Sequence, residues 1–213
     1  MSGRESVHTP DELDERVCER AKRLTTVACA VSECFGTRPM ATLDPNALRD
    51  VLSELRGVVR SIPDAYLVIV GGLAVQEQGY ERYTSDIDAV VDSAHYSDIL
   101  DRLRRKGFDQ QPDAVLKHRV MGIEFDLLRE GALIGDSQVP LPHPRELGPN
   151  LGFATLPGLI RLKLEAHRRQ GLADVVGLLK ANRDAILSLE AQLPQRLRKE
   201  YRTLAEEARR ECR

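Results

Sequence analysis

An α+β fold is expected for this chain. Three features carry that expectation: helix caps and helical periodicity at the start, a β-branched and then alternating stretch in the middle, and a return to helical signals beyond a Pro- and Gly-rich loop. This order predicts a small mixed β-sheet with interleaved helices, flanked by N-terminal helices and a C-terminal helical bundle. Residues 1–62 read as the N-terminal helical segment, 63–150 as the α+β core and 151–213 as the C-terminal helical region, all within one continuous body.

Thr9, Pro10 and Glu12 form a capping box with proline at the first helical position, predicting a helix that runs roughly to Phe35. Asp44 and Pro45 repeat the signal, and Leu48, Val51, Leu52 and Leu55 then recur at amphipathic spacing. Residues 65–70, AYLVIV, are apolar and partly β-branched and end at Gly71 and Gly72, as a buried strand entering a turn should. LAVQEQG reads as a short helix. Residues 86–92, DIDAVVD, alternate acidic and apolar side chains as a strand does, and residues 96–106 read as a helix stopped by Gly107. Further strands are expected at 115–121 and 123–128. The Pro- and Gly-rich loop spans 131–149, and helices start near Pro157, Leu172 and Pro194.

The chain has 213 residues, 42% hydrophobic and 30% charged, the texture of an ordinary soluble protein. No apolar run approaches the ~20 residues of a membrane span. The N-terminus lacks a secretory apolar stretch and is acidic for a transit peptide, so a cytoplasmic location is expected. Cysteines 18, 29, 34 and 212 form no CxxC pair and no zinc-type spacing, which predicts reduced thiols with neither disulfides nor structural zinc. A net charge of −2 excludes a globally basic nucleic-acid coat. Two local patches remain: residues 157–170, with Arg161, Lys163, Arg168 and Arg169 against Glu165, and the tail 196–213, with seven basic and four acidic residues. The plain reading of the tail is a solvated helix face.

Residues 68–92 are the informative stretch. On a strand, Asp86 and Asp88 share one face while Ile87 and Ala89 face the core. Adjacent carboxylates repel unless a cation neutralises them, and hard oxygen ligands suit Mg²⁺ or Mn²⁺. In GIEFDLLRE, Asp126 lies between Phe125 and Leu127, an acid among core residues. Were this strand beside the first, Asp126 would complete a cluster able to hold two ions about 3.5–4 Å apart, with Glu124 its rival on the same face. Gly71 and Gly72 suit a backbone that must approach a triphosphate closely, and Arg82 and Thr84 could add a guanidinium and a hydroxyl to the same phosphates.

Gly71-Gly72, thirteen intervening residues and Asp86-Ile87-Asp88, with a later acid at Asp126, resemble the signature of the DNA polymerase β nucleotidyltransferase superfamily. The fuller GGLAVQEQGYERYTSDID is closer still to the bacterial AbiEii-like nucleotidyltransferases, many of them toxins of toxin–antitoxin pairs. LPGLIRLKLEAHRRQGLADVVGLLKA resembles the helical motif of that group, so the likeness covers residues 66 to about 182.

The resemblance implies a nucleotidyltransferase core in which Asp86, Asp88 and Asp126 are catalytic and hold Mg²⁺ or Mn²⁺. Gly71, Gly72, Arg82, Thr84 and Ser85 would bind nucleotide, Lys163 would contact phosphate and Asp174 would support it. The implied reaction moves a nucleoside monophosphate from an NTP to a hydroxyl or phosphate acceptor and releases pyrophosphate. The acceptor could be tRNA, a protein hydroxyl or an antibiotic such as an aminoglycoside or lincosamide, and a toxin would have an antitoxin protein as partner. The chain departs from the group at Gln170-Gly171, where related sequences often read KDLADV. A catalytically silent nucleotide-binding module is therefore the rival from another class.

Plainer readings stand beside these. A lone DxD is common on strands and turns, so the constellation carries the expectation. Asp92 suits a turn or cap, His118 and His143 suit structural positions, and Lys163 could snorkel from an amphipathic helix. The expected base is solvent or Asp126.

Overall fold

The computed structural model describes residues 44–111 and 115–211, together with Glu15 and Glu19. The helix expected over 9–35 and all four cysteines therefore lie outside the described residues, except that Glu15 and Glu19 are helical. The fold is α+β, with seven α-helices, a mixed six-stranded sheet and a separate two-stranded ribbon among the described residues.

Helix α1 (Pro45–Arg60) begins at the expected cap: Asp44 accepts from the Asn46 N–H at 2.9 Å, with Pro45 at the first helical position. Its apolar face, Leu48, Val51, Leu52 and Leu55, is fully buried. Strand β1 (Leu67–Val70) is buried along its length, as suits a central strand covered on both faces, and it leads directly into α2 (Gly71–Glu77). This helix starts at the double glycine, two residues earlier than expected. Gly71 has φ +66, a left-handed conformation that glycine adopts without a Cβ penalty.

Strand β2 (Asp86–Val91) is followed by α3 (Tyr96–Arg105), which ends before Gly107 at φ +97. Two short strands, β3 (Phe108–Gln110) and β4 (Leu116–His118), lead to β5 (Glu124–Arg129). The strand expected over 115–121 is shorter than foreseen, because residues 119–122 turn through Gly122, at φ +68, back into β5. Within the 131–149 loop, β6 (Leu133–Ile134) pairs with β7 (Val139–Pro140), and a 3₁₀ turn covers Pro144–Glu146. Strand β8 (Gly152–Phe153) then returns to the main sheet just past the expected boundary at residue 150.

The sheet order is β3-β4-β5-β2-β1-β8. β2 is antiparallel to β1 and parallel to β5, and helix α3 lies in the crossover that a parallel pair requires. The C-terminal region contains α4 (Leu156–Ala166), α5 (Arg169–Ala181), α6 (Ile186–Gln192) and α7 (Gln195–Arg210). A single apolar cluster runs from α1 through the sheet to α7. Both basic patches are partly neutralised: Arg161 pairs with Glu146 at 2.7 Å and with Glu165, Arg196 also reaches Glu165, and Arg202 pairs with Glu190. Among the described residues, no helix is long and apolar enough to cross a membrane.

Candidate metal centre and its surroundings

Period-2 alternation puts Ile87 and Ala89 fully in the core and leaves Asp86 and Asp88 half-buried on the opposite face. The β2–β5 register pairs Asp88 with Asp126 and Asp86 with Glu124. Paired residues of neighbouring strands project from the same face, so Asp126 joins the first two acids. One carboxylate oxygen from each of Asp86, Asp88 and Asp126 lies within 4.8 Å of the others. Glu124 turns outward to Lys117, 3.2 Å away, and does not belong to the cluster.

Three carboxylates at this spacing offer an all-oxygen donor set that can hold a metal ion. Their mutual repulsion is visible in Asp88. Burial first, and then the charges of Asp86 and Asp126, push its carboxyl from the ordinary 3.8 up to about 6, against the opposing pull of Lys163 and Arg82. A bound cation would relieve this strain, so the donor chemistry and the electrostatics fit the same group.

The glycines make room for the site's own side chains. A Cβ on Gly71 would lie 2.6 Å from Cγ of Asp88 and collide with its carboxylate. A Cβ on Gly72 would lie 2.5 Å from Cβ of Thr84 and 2.9 Å from Nη2 of Arg82. Their Cβ-free faces thus meet the acid, the hydroxyl and the guanidinium. The close approach expected for phosphate is taken up in part by the chain's own side chains. Thr84, buried, donates from Oγ1 to Oδ1 of Asp86 at 2.9 Å and so orients that carboxylate. Ser85, between them, is exposed.

Lys163 on α4 and Arg82 meet at Asp174 on α5. Lys163 Nζ donates to Asp174 Oδ2 at 2.6 Å, Arg82 Nη1 donates to the same oxygen at 3.2 Å, and Gln170 Nε2 donates to Oδ1 at 3.1 Å. Asp174 is buried, so it acts as an anchor for two cations and does not face solvent. Gln170, one of the two departures from the related motif, still supplies a donor to this carboxylate. Burial lowers the Lys163 ammonium below the ordinary lysine range, against the attraction of Asp174 and its hydrogen bond. Nε of Arg82 is buried and has no hydrogen-bond partner among the described residues.

The remaining candidates have structural partners. Asp92 accepts from the Tyr66 N–H at 2.7 Å and from the His95 N–H at 3.0 Å, and contacts the His95 ring at 2.6 Å. His118 is buried, accepts from the Met121 N–H at 3.1 Å and lies edge-on to Phe108. His143 caps the 3₁₀ turn by accepting from the Arg145 N–H. Sequence reasoning missed Gln76, which donates from Nε2 to the Arg82 carbonyl at 2.6 Å, and the packing of Tyr80 on Gly177. A glycine inside helix α5 was the available signal for the latter. No protein-family model and no curated protein matches this chain.

Proposed function

We propose that the protein is a metal-dependent nucleotidyltransferase, moving a nucleoside monophosphate from an NTP to a hydroxyl or phosphate acceptor. The observation that carries this reading is the Asp88–Asp126 register, which closes a three-carboxylate cluster whose ligand atoms lie within 4.8 Å of one another. Asp86, Asp88 and Asp126 would hold Mg²⁺ or Mn²⁺, and the bound ions would neutralise the triphosphate and favour the ionised nucleophile.

The chain's own residues then have separable tasks. Thr84 keeps Asp86 oriented toward the cluster, and Asp174 holds Lys163 and Arg82 as a pair of cations beside it. Both cations act through space on Asp88, which supports their use as phosphate contacts next to the acids. In the reaction the acceptor oxygen bonds to the α-phosphorus as the Pα–O bond to the β-phosphate breaks. Pyrophosphate leaves with that electron pair, and the acceptor's proton passes to Asp126 or to solvent.

The acceptor class that goes with the AbiEii-like resemblance is tRNA or protein, in a cytoplasmic toxin held by an antitoxin protein. The experiment incubates the full chain with labelled NTPs, Mg²⁺, total cellular RNA and protein, and separately with aminoglycosides and lincosamides. Label in RNA or protein supports the proposal, and label in the drugs redirects it to antibiotic inactivation. NTP binding without any transfer would make the chain a silent module. If saturating Mg²⁺ and NTP give neither label nor a rise in melting temperature, the nucleotide site is wrong.

A further inference from the structure

Arg82 and Thr84 are carried by residues 78–85, which have no helix or strand and run along one face of α5. Asn182 at the helix end donates from Nδ2 to the Gln78 carbonyl at 2.8 Å, and Asp174 takes Arg82 at the other end of the segment at 3.2 Å. Between them the Tyr80 ring rests on the helix where Gly177 has no side chain. A Cβ there would lie 2.6 Å from ring atom Cδ1 and closer still to Cε1 and Cζ, so ring and methyl cannot share the space. Gly79 meets Ala181 at an ordinary 3.8 Å from its own Cβ position. Asp174, Gly177, Ala181 and Asn182 follow helical spacing along one stripe, so the same face of α5 meets the whole segment.

Glycine is a poor helix former, and the Tyr80 ring at its Cβ position accounts for the buried Gly177 inside α5. The inner side of the segment is also held, by the Gln76 bond to the Arg82 carbonyl and by the Tyr80 N–H on the Val75 carbonyl at 3.3 Å. Arg82 and Thr84, two and four residues beyond the ring, reach Asp174 and Asp86. Only two and four residues of backbone therefore separate the ring from the two site residues.

We propose that the seat of Tyr80 on Gly177 is a positioning contact that sets Arg82 and Thr84 for the candidate site. This inference rests on the nucleotidyltransferase reading for its effect on NTP, and on the fold alone for its effect on the segment. The test compares full-length wild type with Gly177→Ala, Tyr80→Ala and the double variant. Two quantities are read: Mg·NTP affinity, and the rate of tryptic cleavage after Arg82, resolved by mass spectrometry.

Gly177→Ala is expected to weaken Mg·NTP binding about tenfold, the effect of losing roughly one well-placed charged phosphate contact. It is also expected to speed cleavage after Arg82 and to lower the melting temperature, because the overpacking that expels the ring outweighs the better helix propensity of alanine. Tyr80→Ala, which leaves the helix untouched, should produce both changes on its own, so the test survives a Gly177→Ala protein that does not fold. In the Tyr80→Ala background the added methyl should have no further effect, because the ring it would displace is gone. Equal losses from Gly177→Ala with and without Tyr80, or unchanged cleavage in both single variants, would overturn the positioning role. A wild type that binds no Mg·NTP refutes the nucleotide reading instead, and the cleavage rates then decide the seat alone.

Discussion

Of the three aspartates on strand β2 and the residue just after it, Asp88 and Asp92 have opposite fates. Asp88 sits near the entry of the strand beside Asp86 and Asp126, and its carboxyl is pushed up to about 6. Asp92 follows the exit of the strand and is also shielded from solvent, and its carboxyl is held below the ordinary range. Burial works to raise Asp92 as well, but hydrogen bonds from the Tyr66 N–H and from the ring and N–H of His95 outweigh it. Burial makes a carboxylate's neighbours matter, and the neighbours decide the sign. One end of the strand is completed within the chain, whereas the other would be completed by a cation.

The largest expected effect separates the two ends by function. Asp88→Asn should lower nucleotidyl transfer by about a thousandfold, because it removes a ligand that the proposed ions require. Asp92→Asn should leave the rate per folded molecule near wild type. Steady-state kinetics on both variants checks this, and near-normal transfer by Asp88→Asn would make that residue a structural acid.

The next effect is on stability without metal. The folded state keeps the Asp88 proton to higher pH than the unfolded chain does, so between pH 3.8 and about 6 the folded state binds more protons. Stability from this group therefore falls as pH rises through that window, by about 3 kcal/mol at roughly 1.4 kcal/mol per unit. Denaturant melts should show Asp88→Asn gaining on wild type across the window and holding the gain at pH 7. Saturating Mn²⁺ should cancel the gain by stabilising wild type alone.

At the other end the sign reverses. Asp92 contributes stability at neutral pH that is lost as pH falls below 3.8 through its depressed folded value. Asp92→Ala leaves the Tyr66 N–H without its acceptor and should cost about 2 kcal/mol at pH 7, read from the same melts. The smallest effect is that of His95→Ala, which removes the ring contact but keeps both backbone donors, and should cost about 1 kcal/mol. If His95→Ala costs more than Asp92→Ala, the carboxylate is not the centre of that cap.

Legibility in the sequence followed the range of the cause. The start of α1 was readable because Asp44 and Pro45 act on their own helix turn, and the split of β2 into acids and core residues was readable because alternation is a property of a single strand. Of the strands of two or three residues, β3, β6, β7 and β8 carry too few side chains for a period to emerge, whereas β4 lies inside the longer stretch expected over 115–121. They exist because a neighbouring strand offers unpaired backbone groups.

By itself the sequence determined the α+β order of elements, the shared face of Asp86 and Asp88, and the candidacy of Asp126 as an acid flanked by core residues. Tertiary structure alone decided that β5 lies parallel to β2 in the register that sets Asp126 beside Asp88 and sends Glu124 to Lys117. It alone joined Lys163, Arg82 and Gln170 at a buried Asp174, and turned the Cβ-free faces of Gly71 and Gly72 toward Asp88, Thr84 and Arg82. The physical reason is that periodicity and capping are set by neighbours within a few residues, whereas strand pairing and buried ion pairs join groups far apart in the chain, whose geometry exists only once the core between them has packed.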